Sequence, residues 1–219
     1  MYIPNTAPSN LAEMLDFLLP SVQDGLFDSV AYDDAENPAK IVCTQNGNVI
    51  LEITVNESSQ FTFTPYIAEG VSGGINHTAF FRIDEAVRCS GGFCFRSNAQ
   101  GSPIYYYRFA AAKTDSGKTA FLAYTYMNND TNSAAQMYVT CFGDNPELKL
   151  YNGYFFAVNL GEVHDRTILS RIPVAGVRGS TGCFTTAFLR TAAQFRETGA
   201  QIIGGKQYGC IGQIAILDE

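Results

Sequence analysis

The chain has 219 residues, enough for one large β domain or two small ones, and enough to bury a core without metals or disulfides. Only 16% of it is charged, against about 25% in an average soluble domain, while 46% is hydrophobic. A net charge of −7 with no cluster of Lys and Arg excludes nucleic acid as a main partner, and no apolar run reaches the ~18 residues of a membrane-spanning helix.

The start, Met1-Tyr2-Ile3-Pro4-Asn5, has neither the basic residues nor the apolar stretch of a signal peptide, so the expectation is a chain folded in a cytoplasm. A helix comes next. Ser9 or Asn10 can cap it, and Glu13 stands where the helix dipole favours a carboxylate. Leu11, Met14, Leu15 and Leu18 recur at i, i+3, i+4 and i+7 and form one apolar stripe. Pro20 ends the helix or opens a new turn. A helix this short needs a surface to lie on. The polar stretch Asp33-Asp34-Ala35-Glu36-Asn37-Pro38 predicts a boundary between an attachment segment, 1–38, and a β body, 39–219.

From residue 40 onward the apolar period changes from 3.6 to 2. Val49, Leu51, Ile53 and Val55 alternate with polar residues after an Asn46-Gly47-Asn48 turn, and Ile41-Val42-Cys43 supplies the partner strand. Gln60 to Thr64 alternates again, and 68–76 reads as a glycine-rich loop. Strands are expected at 79–89, 93–97, 103–113, 118–127, 134–142, 148–159, 166–177, 182–190 and 207–217, with one helical turn open as the alternative for 190–198. Short strands at this spacing, without helices between them, predict a mainly β fold: an antiparallel β-sandwich or barrel-like, jelly-roll-type body behind a short N-terminal helix.

Several strands are apolar on both faces, Thr119 to Met127 and Tyr151 to Val158 among them. Cover on both sides comes from flanking elements or from a subunit interface. With so few charges, the expectation is a homo-oligomer, a trimer first. Tyr105-Tyr106-Tyr107 is the most distinctive local feature. A tyrosine face joins an apolar body to a polar tip, so Tyr105, Tyr107, Tyr124 and Tyr126 are the candidate interface or ligand residues, with a sugar ring as one ligand that such a face can stack on.

No sequence pattern for catalysis is present: no G-x-S-x-G, no H-E-x-x-H and no phosphate-cradling loop. His164-Asp165 and His77 read as loop histidines, and Glu162/Asp165 and Asp84/Glu85 as ordinary surface carboxylates. The acidic run Asp28, Asp33, Asp34, Glu36 lacks EF-hand spacing. No cofactor, metal site or enzyme activity is expected. Six cysteines are spread along the chain without a C-x-x-C pair, mostly in strand-like apolar contexts. Cys89 and Cys94 flank Gly91-Gly92. A two-residue Gly-Gly loop would set them opposite each other, as thiols reduced in a cytoplasm and able to oxidise outside it.

The final segment, Gly199-Ala200-Gln201-Ile202-Ile203-Gly204-Gly205-Lys206-Gln207-Tyr208-Gly209-Cys210-Ile211-Gly212-Gln213-Ile214-Ala215-Ile216-Leu217-Asp218-Glu219, resembles the C-termini of β-rich bacteriophage and prophage virion proteins. Tail-fibre, baseplate and other surface components are the group in view, and a helical lead before one β body is similar in layout. The resemblance implies a virion structural protein assembled in the host cytoplasm. It would contact itself, other virion proteins and, in host recognition, a surface glycan. The alternative is a non-viral carbohydrate-binding β-sandwich module.

Overall fold

The computed structural model describes residues 3–5, 7–67, 71–72, 82–97, 104–128, 134–141, 151–156, 168–175, 181–191, 198–212 and 214–219. At strand positions 3–5, 67, 71–72, 104–106, 124–128, 134–141, 151–156, 168, 170, 173–175, 181 and 191 it describes the backbone alone.

The helix forms where the capping signals put it. α1 spans Leu11–Leu18, and the Asn10 side chain accepts the Glu13 N–H at 3.0 Å. Glu13 reaches back to the Ser9 amide and hydroxyl at 2.7 and 2.8 Å, and that amide bond holds its carboxyl below the usual value. Pro20 opens a second short helix, α2 (Pro20–Gln23), because an N-terminal position needs no N–H from it.

The rest of the described chain is antiparallel β, in three sheets, none of which closes on itself among the described residues. The front sheet runs in sequence order: β2 (Ser29–Asp33), β3 (Lys40–Gln45), β4 (Asn48–Val55), β5 (Phe61–Ile67) and β6 (Val71–Ser72). The central sheet has seven strands. β1 (Ile3–Asn5) pairs beside β7 (Ile83–Cys89), and β8 (Gly92–Ser97), β9 (Ile104–Lys113), β10 (Thr119–Asn128), β11 (Ala134–Cys141) and β12 (Tyr151–Phe156) follow. The back sheet is ordered β13 (Ile168–Ala175), β14 (Thr181–Thr191), β17 (Ile214–Asp218), β16 (Lys206–Ile211), β15 (Gly199–Ile203).

The central sheet is covered on both faces, and alternation along its strands assigns each residue to a layer. Phe93, Phe95, Phe109, Ala111 and Phe121 join one core with the front sheet and α1. Val87, Cys89, Cys94, Ala110, Ala112, Ala120 and Leu122 join a second core with Phe184, Ala187, Ile211, Ile214 and Ile216 of the back sheet. In the front core Phe63 stacks on Phe109 at 4.4 Å and on Phe95 at 5.4 Å between ring centroids. Each such pair adds about 0.5–1.5 kcal/mol beyond its area burial. A third, smaller cluster, Tyr208, Cys210, Ala215 and Leu217, lies on the other face of the back sheet. Among the described side chains, apolar residues on both faces of the central strands therefore have an explanation within the chain.

Polar ties join the layers. Thr119 on β10 is fully buried; its hydroxyl donates to the Leu26 carbonyl and receives the Gln45 side-chain N–H at 3.1 Å. Lys113 Nζ donates to the Asp24 carbonyl at 2.5 Å, and Arg88 pairs with the Asp24 carboxylate at 3.3 Å. At the other boundary Thr114 bridges to Phe184 as an isolated antiparallel pair, and Asp115 N–H donates to the Cys183 carbonyl at 3.0 Å.

Three expectations need correction. The apolar stripe of α1 lies in the chain's own core: Met14 and Leu18 are fully buried, Leu11 and Leu15 pack against the same cluster, and Phe17, off the expected stripe, meets the Phe95 ring at 5.0 Å. The boundary at 38/39 falls inside a hairpin, since Asp33 pairs with Lys40 and β2 completes the front sheet. Residues 207–217 are two strands, reversed at Gly212 (φ +54), with Ile211 opposite Ile214. Residues 192–197, where a helical turn was the open alternative, lie outside the described set.

If the helix belongs to the core, Phe17→Ala costs about 3–5 kcal/mol, the range for a buried aromatic truncated with its cavity left open. Urea unfolding followed by circular dichroism measures it. A loss below about 1 kcal/mol would instead place α1 outside the cooperative unit.

Candidate functional site

The four candidate tyrosine positions fall in two pairs on opposite sides of the central sheet. In the β9–β10 register Tyr107 stands opposite Thr125 and Arg108 opposite Tyr124. Paired residues share a face and neighbours alternate, so positions 105 and 107 lie on the front side of the central sheet and positions 124 and 126 on the back side. Tyr107 is half-buried against the front core. The side chains of Tyr105, Tyr124 and Tyr126 lie outside the described set.

The cysteine register is also displaced from the expected one. Cys89 pairs with Gly92 and Val87 with Cys94, so the two-residue turn is Ser90-Gly91 and the cysteines are diagonal neighbours, both free. Diagonal positions are about 7–8 Å apart, too far for a disulfide without backbone movement. The shift follows from the glycines' packing. A Cβ on Gly92 would stand 2.0 Å from the Ala111 carbonyl oxygen, so Gly92 lies in the ladder against β9. A Cβ on Gly91 would meet the Leu217 oxygen at 2.6 Å, and Gly91 N–H donates to that same carbonyl at 2.9 Å. Thr186 closes the corner: it takes the Lys113 N–H at 3.0 Å and donates to the Gly91 carbonyl at 2.6 Å. Burial pushes both the Cys89 and Cys94 thiols up to about 12, with the Asp218 carboxylate adding to the effect at Cys89.

The densest charged group, which sequence reading passed over, crosses the central sheet on its back side. Register aligns Glu85, Arg96, Arg108 and position 124 in one row. Arg96 bonds Glu85 at 2.7 Å and Asp84 at 3.3 Å, and Thr198 donates its hydroxyl to Glu85. From the back sheet the buried Arg190 donates to the Gly212 carbonyl at 2.5 Å and to Gln201 at 2.8 Å. Arg108, also buried, lies so close to Gly212 that a Cβ there would stand 2.4 Å from its guanidinium. Arginines spaced along strands carry no local motif; only pairing across strands brings them together. Asp84 and Glu85, expected as ordinary surface carboxylates, are held by one guanidinium, which suits a fixed ionic tie between β7 and β8 rather than a proton-transferring pair.

A second polar group lies on the outer face of the front sheet. Lys40 bonds Glu52 at 2.7 Å and Glu36 at 3.3 Å, and the Glu52 contact raises its ammonium's pKa. Tyr66 donates to Glu52; burial first, then that bond, push its phenol up to about 12. The remaining acidic residues of the early chain serve turns: Asp33 accepts the Ala35 N–H at 3.0 Å and Asp28 accepts the Asn46 N–H. His77, Glu162, His164 and Asp165 lie outside the described residues. Among the described residues no three His, Cys, Asp or Glu side chains gather as metal ligands, and no helix is long and apolar enough to cross a membrane.

No family model, curated protein or solved structure matches the chain.

The raised thiols give a pH dependence of defined sign. An unfolded cysteine ionises near its ordinary 9.0, whereas folded Cys89 and Cys94 hold their protons up to about 12. Above 9.0 the unfolded state therefore binds fewer protons, and stability falls as pH rises, by up to about 1.4 kcal/mol per pH unit for each thiol. Urea titrations on either side of that value should show the slope, and Cys94→Ala should flatten it. An unchanged slope in that variant would mean that the thiol ionises freely in the folded protein.

Proposed function

We propose that the chain is a structural component of a bacteriophage virion, a tail-fibre, baseplate or surface protein that assembles through the edges of its sheets. One observation carries this reading. β15, which opens the segment resembling virion C-termini, is the end strand of the back sheet among the described residues, and Ile202 on it is 77% exposed. An unpaired edge bearing an apolar side chain is a template for another chain. The double cover of the central sheet supports the same view, because it leaves edges rather than that sheet's faces for association. The partners are other copies of the chain, a trimer first, and other virion proteins, with a host-surface glycan as the ligand if the particle position is distal.

The glycan-binding module remains as the alternative, with either pair of positions but not all four on one contact surface, since 105/107 and 124/126 fall on opposite sides of one sheet. A glycan array with isolated protein tests it.

In the assembly reading, sedimentation at micromolar concentration shows trimers or larger species, and Ile202→Lys shifts them to monomer while changing stability by no more than about 0.5 kcal/mol, as for other surface substitutions. A monomer in the wild-type chain, alone and when co-expressed with virion partners, would count against the proposal.

A further inference from the structure

We propose that Asn46 is a site of spontaneous deamidation, and that the fold separates it from the chain's other Asn-Gly pair, Asn152-Gly153. The reaction needs no cofactor. The Gly47 backbone nitrogen attacks Cγ of Asn46 and gives up its proton, and the side-chain nitrogen leaves as ammonia. Water then opens the cyclic imide at either carbonyl and yields aspartate or isoaspartate. Glycine favours the attack because no side chain shields its nitrogen.

The two pairs sit in opposite settings. Asn46 and Gly47 form the two-residue turn between β3 and β4, with φ of +52° and +74°, outside the ladder that Gln45 and Asn48 close. Both residues are exposed, and nothing lies within 4 Å of a Cβ built on Gly47. Two hydrogen bonds hold the Asn46 backbone, its N–H on Asp28 and its carbonyl on the Asn48 side chain at 3.3 Å. Its own side-chain amide has no partner among the described residues, so it is at liberty to sample the attack geometry. Asn152 and Gly153 lie within β12, paired with Tyr138 and Met137 of β11. Turning that peptide toward ring closure means pulling it out of a ladder.

The product alters the turn in two ways. It places a second carboxylate beside Asp28, which already accepts the Asn46 N–H, so like charges meet. Isoaspartate also lengthens the backbone by one carbon in a turn whose two residues set the β3–β4 register.

The test incubates the folded full-length protein in mildly alkaline buffer at physiological temperature, beside a urea-unfolded sample, until the unfolded sample has converted both pairs. Peptide mapping by mass spectrometry with isoaspartyl-specific methylation follows each site. The unfolded chain should convert the two at similar rates. The folded chain should convert Asn46 at least about tenfold faster than Asn152, the ratio given by a barrier difference of ~1.4 kcal/mol. Gly47→Ala, whose new methyl group meets open space but strains the turn at a φ of +74°, should slow conversion at Asn46 and leave the rate at Asn152 unchanged. Equal rates in the folded protein, a faster Asn152, or an intact Asn46 when the unfolded sample has reacted would overturn the proposal.

Discussion

A strand with apolar residues on both faces cannot border water on either, and β8 sets that condition for the whole molecule. Phe93 and Phe95 point into one core and Cys94 into the other, all at 1% exposure or less. Covering one face of the sheet with the front sheet and α1, and the other with the back sheet, satisfies both demands within one chain. The composition follows from the same layering. Two interlayer surfaces absorb much of the 46% of hydrophobic residues, and three layers share one outer surface, so 16% of charged residues is enough to wet it.

Layers held only by apolar contact are free to slide, and the polar contacts at their boundaries fix where they stop. The corner built by Gly91, Thr186, Lys113 and Leu217 is main-chain to main-chain at one point and bridged by one hydroxyl at another. It tolerates no side chain at Gly91 or Gly92, since the backbones of β9 and β17 already occupy the space. Arg108 and Arg190 play a similar part at Gly212, whose missing Cβ admits the guanidinium of Arg108. Both places on the boundary between the central and back sheets therefore combine close glycine contact with directional hydrogen bonds, and each specifies a register that hydrophobic area alone leaves open.

What could be read from the sequence was the local order. Alternation at Val49 to Val55, the Asn46-Gly47 turn, the cap at Asn10 and most strand positions are local properties, and they describe the molecule well. What failed depended on pairing. Gly91-Gly92 is a good turn and by itself sets Cys89 and Cys94 face to face; the need of Gly92 to pass under Ala111 shifts the turn by one residue, and nothing near residue 92 announces Ala111. The tyrosines at 105, 107, 124 and 126 share chemistry, but which sheet face each occupies is set by the β9–β10 register. The α1 stripe was correctly apolar, yet whether it meets its own chain or another is a tertiary fact, decided here by Phe95 and the front sheet. The arginine row was invisible for the same reason.

The same layering bears on association, because the sheet edges differ in charge. β2, at one end of the front sheet, ends on Asp33 and is followed by Asp34 and Glu36, so a second acidic edge brought beside it meets repulsion. Tyr32 there is half exposed, but those carboxylates flank it. β15, Gly199-Ala200-Gln201-Ile202-Ile203, carries no charge at all, and the alternate residue that projects outward is Ile202. A strand without charge or proline, at the end of its sheet among the described residues, lacks two of the devices that keep edges from pairing. On the assembly reading proposed above, β15 rather than β2 is the edge at which a copy of the chain would gain apolar contact and backbone hydrogen bonds without bringing like charges together.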